Sequence, residues 1–257
     1  MPLGTRTRSR TPSEPELTLP PPFTAVRLRE VGDAFAHATS IAAEQGAGTL
    51  VYVGRFDLAE FAVVLEPEEP LAQARRAFYA GMVALTDALS AQALPETGIT
   101  IGWPDSIFVN GGLVGGGRLG WPQSVAEDET PPWLVFGATI RTVSMTGLEP
   151  GLNLLSTALE DEGFTDVLSN EVIESFARNF MVAFDAWQEN GFDAVAKNYL
   201  ARLPAEKGAL NGIDVNGDLL IRRIGKEKGK PTLERQPLLA ALAKAAWFDP
   251  KTKAPRT

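Results

Sequence analysis

GWPDSIFVNGGLVGGGRLG, residues 102–120, is the stretch on which the reading of the fold turns. Ile107, Phe108 and Val109 form a short apolar run suited to a strand. Asn110-Gly111 follows, the pair that suits a two-residue hairpin in which both central residues take positive φ. Leu113 and Val114 begin the return strand, and Gly115, Gly116 and Gly117 continue it. Glycines in a strand let a ligand or a neighbouring backbone come close. Residues 115–120 also spell GxGxxG, but a dinucleotide site needs a helix directly afterwards. Trp121-Pro122 stands there instead, so a doubly wound nucleotide-binding fold is rejected. No Gly-Lys-Ser/Thr occurs, which excludes a Walker A loop.

Working outward, Thr49–Val53 and Phe61–Leu65 read as buried strands. A helix over Val31–Gln45 precedes them, with Asp33 near its start and Gly46 as its stop. A second helix is predicted from Pro70, with Glu68 and Glu69 at its positive end. Phe78, Met82, Leu85 and Leu89 form its core stripe. Downstream, Trp133–Phe136 resumes as a strand continuing through Gly137 to Val143. The longest helix is predicted over Glu171–Gln188, capped by Ser169 or Asn170. Ile173, Phe176, Phe180, Phe184 and Trp187 share one of its faces. Asn216-Gly217 marks another hairpin, and a terminal helix is read over Gln236–Trp247.

Charge divides the chain. The net charge of −8 combines −18 over residues 11–196, which hold no lysine, with +7 over 197–257 and +3 over the first ten. An acidic body argues against nucleic acid, because phosphate attraction supplies most non-specific binding. Residues 1–22 are rich in Pro, Arg, Ser and Thr and are predicted to be a disordered arm. The main domain is placed at 23–203 and a small β-rich C-terminal domain at 204–257. No apolar run approaches the roughly 18 residues of a membrane span. Met1–Pro22 lacks the apolar segment of a secretory signal. A soluble cytoplasmic protein with no membrane partner is expected.

Cysteine is absent and His37 is the single histidine, so thiolate chemistry and two-histidine metal sites are excluded. No metal site is expected. His37 reads as a core histidine on the apolar face of its helix. Asp214-Val215-Asn216-Gly217-Asp218 has calcium-loop residue types, but its glycine falls at the fourth place rather than the sixth. It reads as a turn.

The Trp103-Pro104-Asp105-Ser106 turn, the hairpin after it and the glycine-rich return resemble the signature of biotin protein ligases. Trp133–Arg141 resembles that family's apolar strand ending in Gly-Ile-Gly-Ile-Asn. The likeness extends over residues 23–225 and implies an α+β fold. A mixed sheet would be flanked by helices, shared by biotin and lipoate ligases, with the ligand against the sheet. It implies formation of an acyl-adenylate from ATP and biotin or lipoate, then transfer to a carrier-domain lysine. By resemblance, Trp103, Pro104, Ser106, Gly115, Gly116, Gly117 and Arg55 would contact ligand or cofactor. Arg118, Arg141 and Asp105 would carry the chemistry.

Departures from the family pattern bear on that chemistry. Adenylation needs cations beside the triphosphate and the acyl carboxylate. Gly102 stands where the family has lysine, and Arg141 where it has a metal-binding asparagine. The Arg-rich loop shrinks to Gly54-Arg55-Phe56-Asp57. Asp105-Ser106 in place of Asn-Asp moves the carboxylate one position, to the other face of a strand. Two readings follow. One is a divergent ligase using Arg55, Arg118 and Arg141. The other is a ligase fold retained as a binding protein for an acyl-type small molecule or a carrier domain. The basic 197–257 segment, with Arg222 and Arg223, offers a contact to an acidic carrier. Trp103 and Pro104 have a second reading, as packing residues of the strand end.

Overall fold

Strict alternation of side chains along the central strands separates two hydrophobic layers. The structure, a computed structural model, describes residues 16–145, 155–164, 167–223 and 231–256. Its main sheet contains β1 (Thr24–Leu28), β2 (Thr49–Val53), β3 (Leu58–Leu65), β4 (Ile99–Gly102), β5 (Ser106–Val109), β6 (Gly112–Gly120) and β7 (Leu134–Arg141). The spatial order is β1-β2-β3-β7-β6-β5-β4. β1 runs parallel to β2 and the remaining neighbours are antiparallel. The expected α+β fold with a mixed sheet is therefore present. Asn110 and Gly111 both take positive φ, 49° and 89°, as the hairpin reading requires.

One layer holds α1 (Ala34–Gln45), whose Ala34, Ala38 and Ala42 meet Val51, Val53, Ala62, Val64 and Val135. The other holds α2 (Leu71–Ala74), α3 (Ala77–Ser90), α4 (Ser169–Asn190) and α5 (Phe192–Leu200). Phe61, Phe136, Phe176 and Phe180 fill the space between sheet and helices, with ring centroids 4.5–6.2 Å apart. The series continues through Phe184, Trp187, Phe192 and Tyr79 to Tyr199. Gly81 makes this approach possible, since a Cβ there would lie 2.4 Å from the Phe136 ring.

β8 (Ala209–Ile213), β9 (Leu219–Arg223) and β10 (Thr232–Gln236) form a second antiparallel sheet. Its β8–β9 turn docks on the main domain. Tyr79 donates its hydroxyl to the Gly217 carbonyl at 2.6 Å, and Arg75 Nε donates to that of Asn216 at 2.6 Å. The short α6 (Leu238–Leu242) buries Leu238 in the main core. Asp218 anchors it by accepting the Leu238 N–H at 3.0 Å. The chain then forms a small hairpin of β11 (Phe248–Asp249) and β12 (Ala254–Pro255).

Several sequence expectations need correction. The helix predicted from Pro70 breaks at Arg75–Arg76, because the buried Arg75 turns to the Asn216 carbonyl and to Glu127. The α4 start is capped by neither Ser169 nor Asn170. The Glu171 carboxylate accepts the Leu168 N–H, while the Ser169 hydroxyl donates to the Phe56 carbonyl. His37 is half-exposed rather than core. The terminal helix is confined to Leu238–Leu242. Residues 1–15 of the predicted arm lie outside the described residues. Residues 16–22 are docked: Leu17 and Leu19 pack on the core, and the Thr18 N–H donates to Glu174. β1 and β10 were not anticipated.

Candidate functional site

Strand register assembles a polar row on the α1 side of the sheet. Ser106 pairs with Gly116, Gly116 with Thr139, and Thr139 with Glu60, so four neighbouring strands contribute one residue each. One step along the same face, Arg118 pairs with Gly137. Arg141 lies at the end of β7, opposite Leu58.

The start of α1 borders this row. Asp33 caps the helix by accepting the Ala36 N–H at 2.9 Å, and Glu60 Oε1 accepts that of Ala34 at 2.9 Å. Both carboxylates sit at the positive end of the helix dipole. Burial nevertheless raises the Glu60 carboxyl pKa, against the Ala34 N–H and the attraction of Arg118 and Arg55. Asp105 is 4% exposed. Burial pushes its carboxyl up to about 6, opposed by the Ser106 hydroxyl and the nearby Trp247 indole N–H. That indole lies outside hydrogen-bonding geometry.

Arg118 lies between two rings, 4.4 Å from Phe35 and 4.2 Å from Phe248, with Asp33 at 3.8 Å. Burial lowers its pKa from the ordinary guanidinium value. Arg141 donates to the Pro255 carbonyl at 2.5 Å. Arg55 is held in a two-point pair by Asp57, at 2.7 and 2.6 Å. The three arginines expected to serve one reaction centre thus end on different partners.

Among the described residues, the buried side-chain polar atoms lacking a hydrogen bond are Glu60 Oε2, Thr139 Oγ1, Arg118 Nε, Asp105 Oδ2, Trp247 Nε1 and Trp103 Nε1. All but the last border the polar row. A buried polar group left unpaired costs about 1–3 kcal/mol, and five of these six atoms are concentrated on one face of the sheet.

The other sequence candidates divide. Ser106 lies in the row, its hydroxyl 3.2 Å from Asp105. Gly116 also faces it: a Cβ there would lie 2.1 Å from the Asp105 carbonyl and 2.7 Å from the Trp247 ring. Gly117 faces the opposite layer, against Met82 and Phe136. Gly115 abuts the β7 backbone at Thr139 and Ile140. Trp103 packs against the aromatic core. The Trp103–Pro104 peptide is cis, and the Pro104 carbonyl accepts the Tyr199 hydroxyl at 2.7 Å. Arg223, read as a carrier contact, is held by Glu206 and Glu234. No group of three or more metal-ligating side chains is found among the described residues.

Sequence reasoning missed Glu60, Thr139, Asp33, Phe35 and the terminal Trp247, Phe248 and Pro255. Glu60 carried a usable signal as the one carboxylate within the apolar strand Leu58–Leu65.

The fold is an α+β sandwich of a seven-stranded mixed sheet between helices, with a small second sheet at its C-terminal end. The sequence profile of the Biotin/lipoate A/B protein ligase family matches residues 19–201. The chain belongs to that family. A biotin protein ligase-like protein of unknown function from Silicibacter sp. TM1040 is similar at 26% identity, with a TM-score of 0.74. The match covers 88% of this chain and 99% of that one. The biotin protein ligase of Aquifex aeolicus shares the fold at 16% identity and a TM-score of 0.60, covering 83% and 100%. The Leishmania major biotin protein ligase, solved with biotinyl-5-AMP, shares it at 14% identity and a TM-score of 0.52, covering 84% and 98%. No curated protein sequence matches the chain. Among the described residues, no helix is long and apolar enough to cross a membrane.

Proposed function

We propose that this protein binds a biotin- or lipoate-type acyl molecule on the α1 side of the sheet and does not activate it with ATP. The observation that carries the reading is the unpaired polar set of Glu60, Thr139, Arg118 and Asp105 around Gly116. It offers a guanidinium N–H, a hydroxyl and two carboxyls whose pKa values are raised by burial. Such groups pair with a ureido or carboxylate head, while Phe35 supplies an apolar wall. Arg118 is the residue suited to a carboxylate, because its planar fork can make two parallel bonds.

The residues do not fit a triphosphate. Arg55, the one arginine of the shortened loop, is neutralised by Asp57, and residues 1–196 contain no lysine. Loss of even one general acid–base group costs about 10²–10⁴-fold in rate. In this reading the main domain, 23–203, is a cytoplasmic binding module.

Calorimetry on the full chain with biotin, lipoate, octanoate and their adenylates tests the proposal. Binding of at least one acid is expected, weakened tenfold or more by Arg118→Ala. Absence of heat with every compound at millimolar concentration overturns it. ATP–pyrophosphate exchange above background, lost in Arg141→Ala, would instead establish the divergent ligase.

A further inference from the structure

We infer that the C-terminal hairpin, residues 247–256, is a detachable strap that occupies the ligand face and must leave before a ligand enters. This rests on the ligand reading of that face.

Three groups singled out in the sequence end on the strap. The Trp247 ring lies over Gly116, filling the space a Cβ would need. Phe248 closes the Arg118 sandwich opposite Phe35. The Pro255 carbonyl accepts from Arg141. A flat ring over glycine, a ring on a guanidinium and a carbonyl oxygen on arginine are contacts of the kind a bound small molecule makes.

The strap fits the shape of the face but leaves single polar atoms there without a hydrogen bond. On this face Glu60 Oε2, Thr139 Oγ1, Arg118 Nε and Asp105 Oδ2 make no hydrogen bond, and the strap's own Trp247 Nε1 lies near Asp105 without reaching hydrogen-bonding geometry. A permanent cover under selection for stability would pair them or make them apolar. An exchangeable cover need not, because the ligand supplies the missing partners.

Trp247, 1% exposed, anchors the strap, and the remainder of its attachment is light. β11 and β12 contribute two residues each, closed by the Arg256 N–H to the Trp247 carbonyl at 2.7 Å. The Lys253–Asp33 pair spans 3.7 Å with the lysine half-exposed, a class of contact that holds little. Such a segment opens locally without global unfolding. Ligand affinity is then reduced by the fraction of molecules in which the strap is open.

The test compares the full-length chain with its Phe248→Ala variant. Phenylglyoxal modification, read by peptide mass spectrometry, reports access to Arg118 without any ligand; the exposed Arg178 is the internal reference. The variant should react at Arg118 about tenfold faster, with Arg178 unchanged. Hydrogen exchange at the Lys253 and Arg256 amides should be at least tenfold faster than at β7 in both proteins. Acids that bind the wild type should bind the variant about tenfold more tightly. Unchanged Arg118 reactivity, or strap amides exchanging only as slowly as β7, overturns the strap. Equal affinity in both proteins with strap amides still protected in the complex overturns it too. Faster Arg118 reaction without acid binding supports the detachable cover and refutes the acyl-ligand reading instead.

Discussion

Asp105→Asn replaces a buried carboxyl by a neutral group of the same shape, and its effect should depend steeply on pH. In the unfolded chain an aspartate titrates near 3.9. In the folded protein burial raises Asp105 to about 6. Between those values the folded chain holds a proton that the unfolded chain has released, so stability from this group falls as pH rises. The contribution is fully present below about pH 4 and lost as pH passes through about 6. A difference of about two pKa units corresponds to about 3 kcal/mol at 1.36 kcal/mol per unit. The amide escapes this penalty. Urea denaturation of both proteins from pH 4 to 8 measures it. The variant should be close to wild type at pH 4 and more stable by up to about 3 kcal/mol at pH 8. A stability difference that stays constant across that range would refute the argument, because it would place the carboxyl in water.

Other substitutions test the packing around the turn and core. Tyr199→Phe leaves the buried Pro104 carbonyl without its 2.7 Å donor and should cost about 1–2 kcal/mol in urea denaturation. Gly116→Ala forces a methyl against the Asp105 carbonyl, which as backbone yields little; a loss of about 1–3 kcal/mol is expected as a lowered melting temperature. Phe176→Ala empties a site shared by Phe61, Phe136 and Phe180. It should cost about 3–5 kcal/mol by denaturant titration.

Much of the sheet was legible because its signals are local. Asn110-Gly111 specifies its turn through backbone sterics alone, and the stripe from Ile173 to Trp187 follows from helix periodicity. The break at Arg75 was not legible, since its cause is a carbonyl at Asn216, 141 residues away in sequence. β1 was missed because Thr24–Leu28 contains arginine and follows a proline run; its place depends on parallel pairing with β2. The site was half legible. Asp105, Ser106, Gly116, Arg118 and Arg141 fall on or beside one face, whereas Trp103 and Gly117 face the other layer. A single sequence gives the alternation of a strand but not which side the ligand takes. Nor could the terminal Trp247-Phe248 be linked to Gly116 and Arg118, because that contact is purely tertiary.

The unbroken series of rings from Phe61 through Trp187 to Tyr199 gives the protein an intrinsic optical signature. Coupled, asymmetrically fixed aromatic groups generate near-ultraviolet circular dichroism, whereas helix content is read in the far ultraviolet. Since α3, α4, α5 and the sheet all hold members of one series, loosening any of them dims the same signal. A variant that keeps its far-ultraviolet spectrum but loses the near-ultraviolet one has given up side-chain order while retaining its helices.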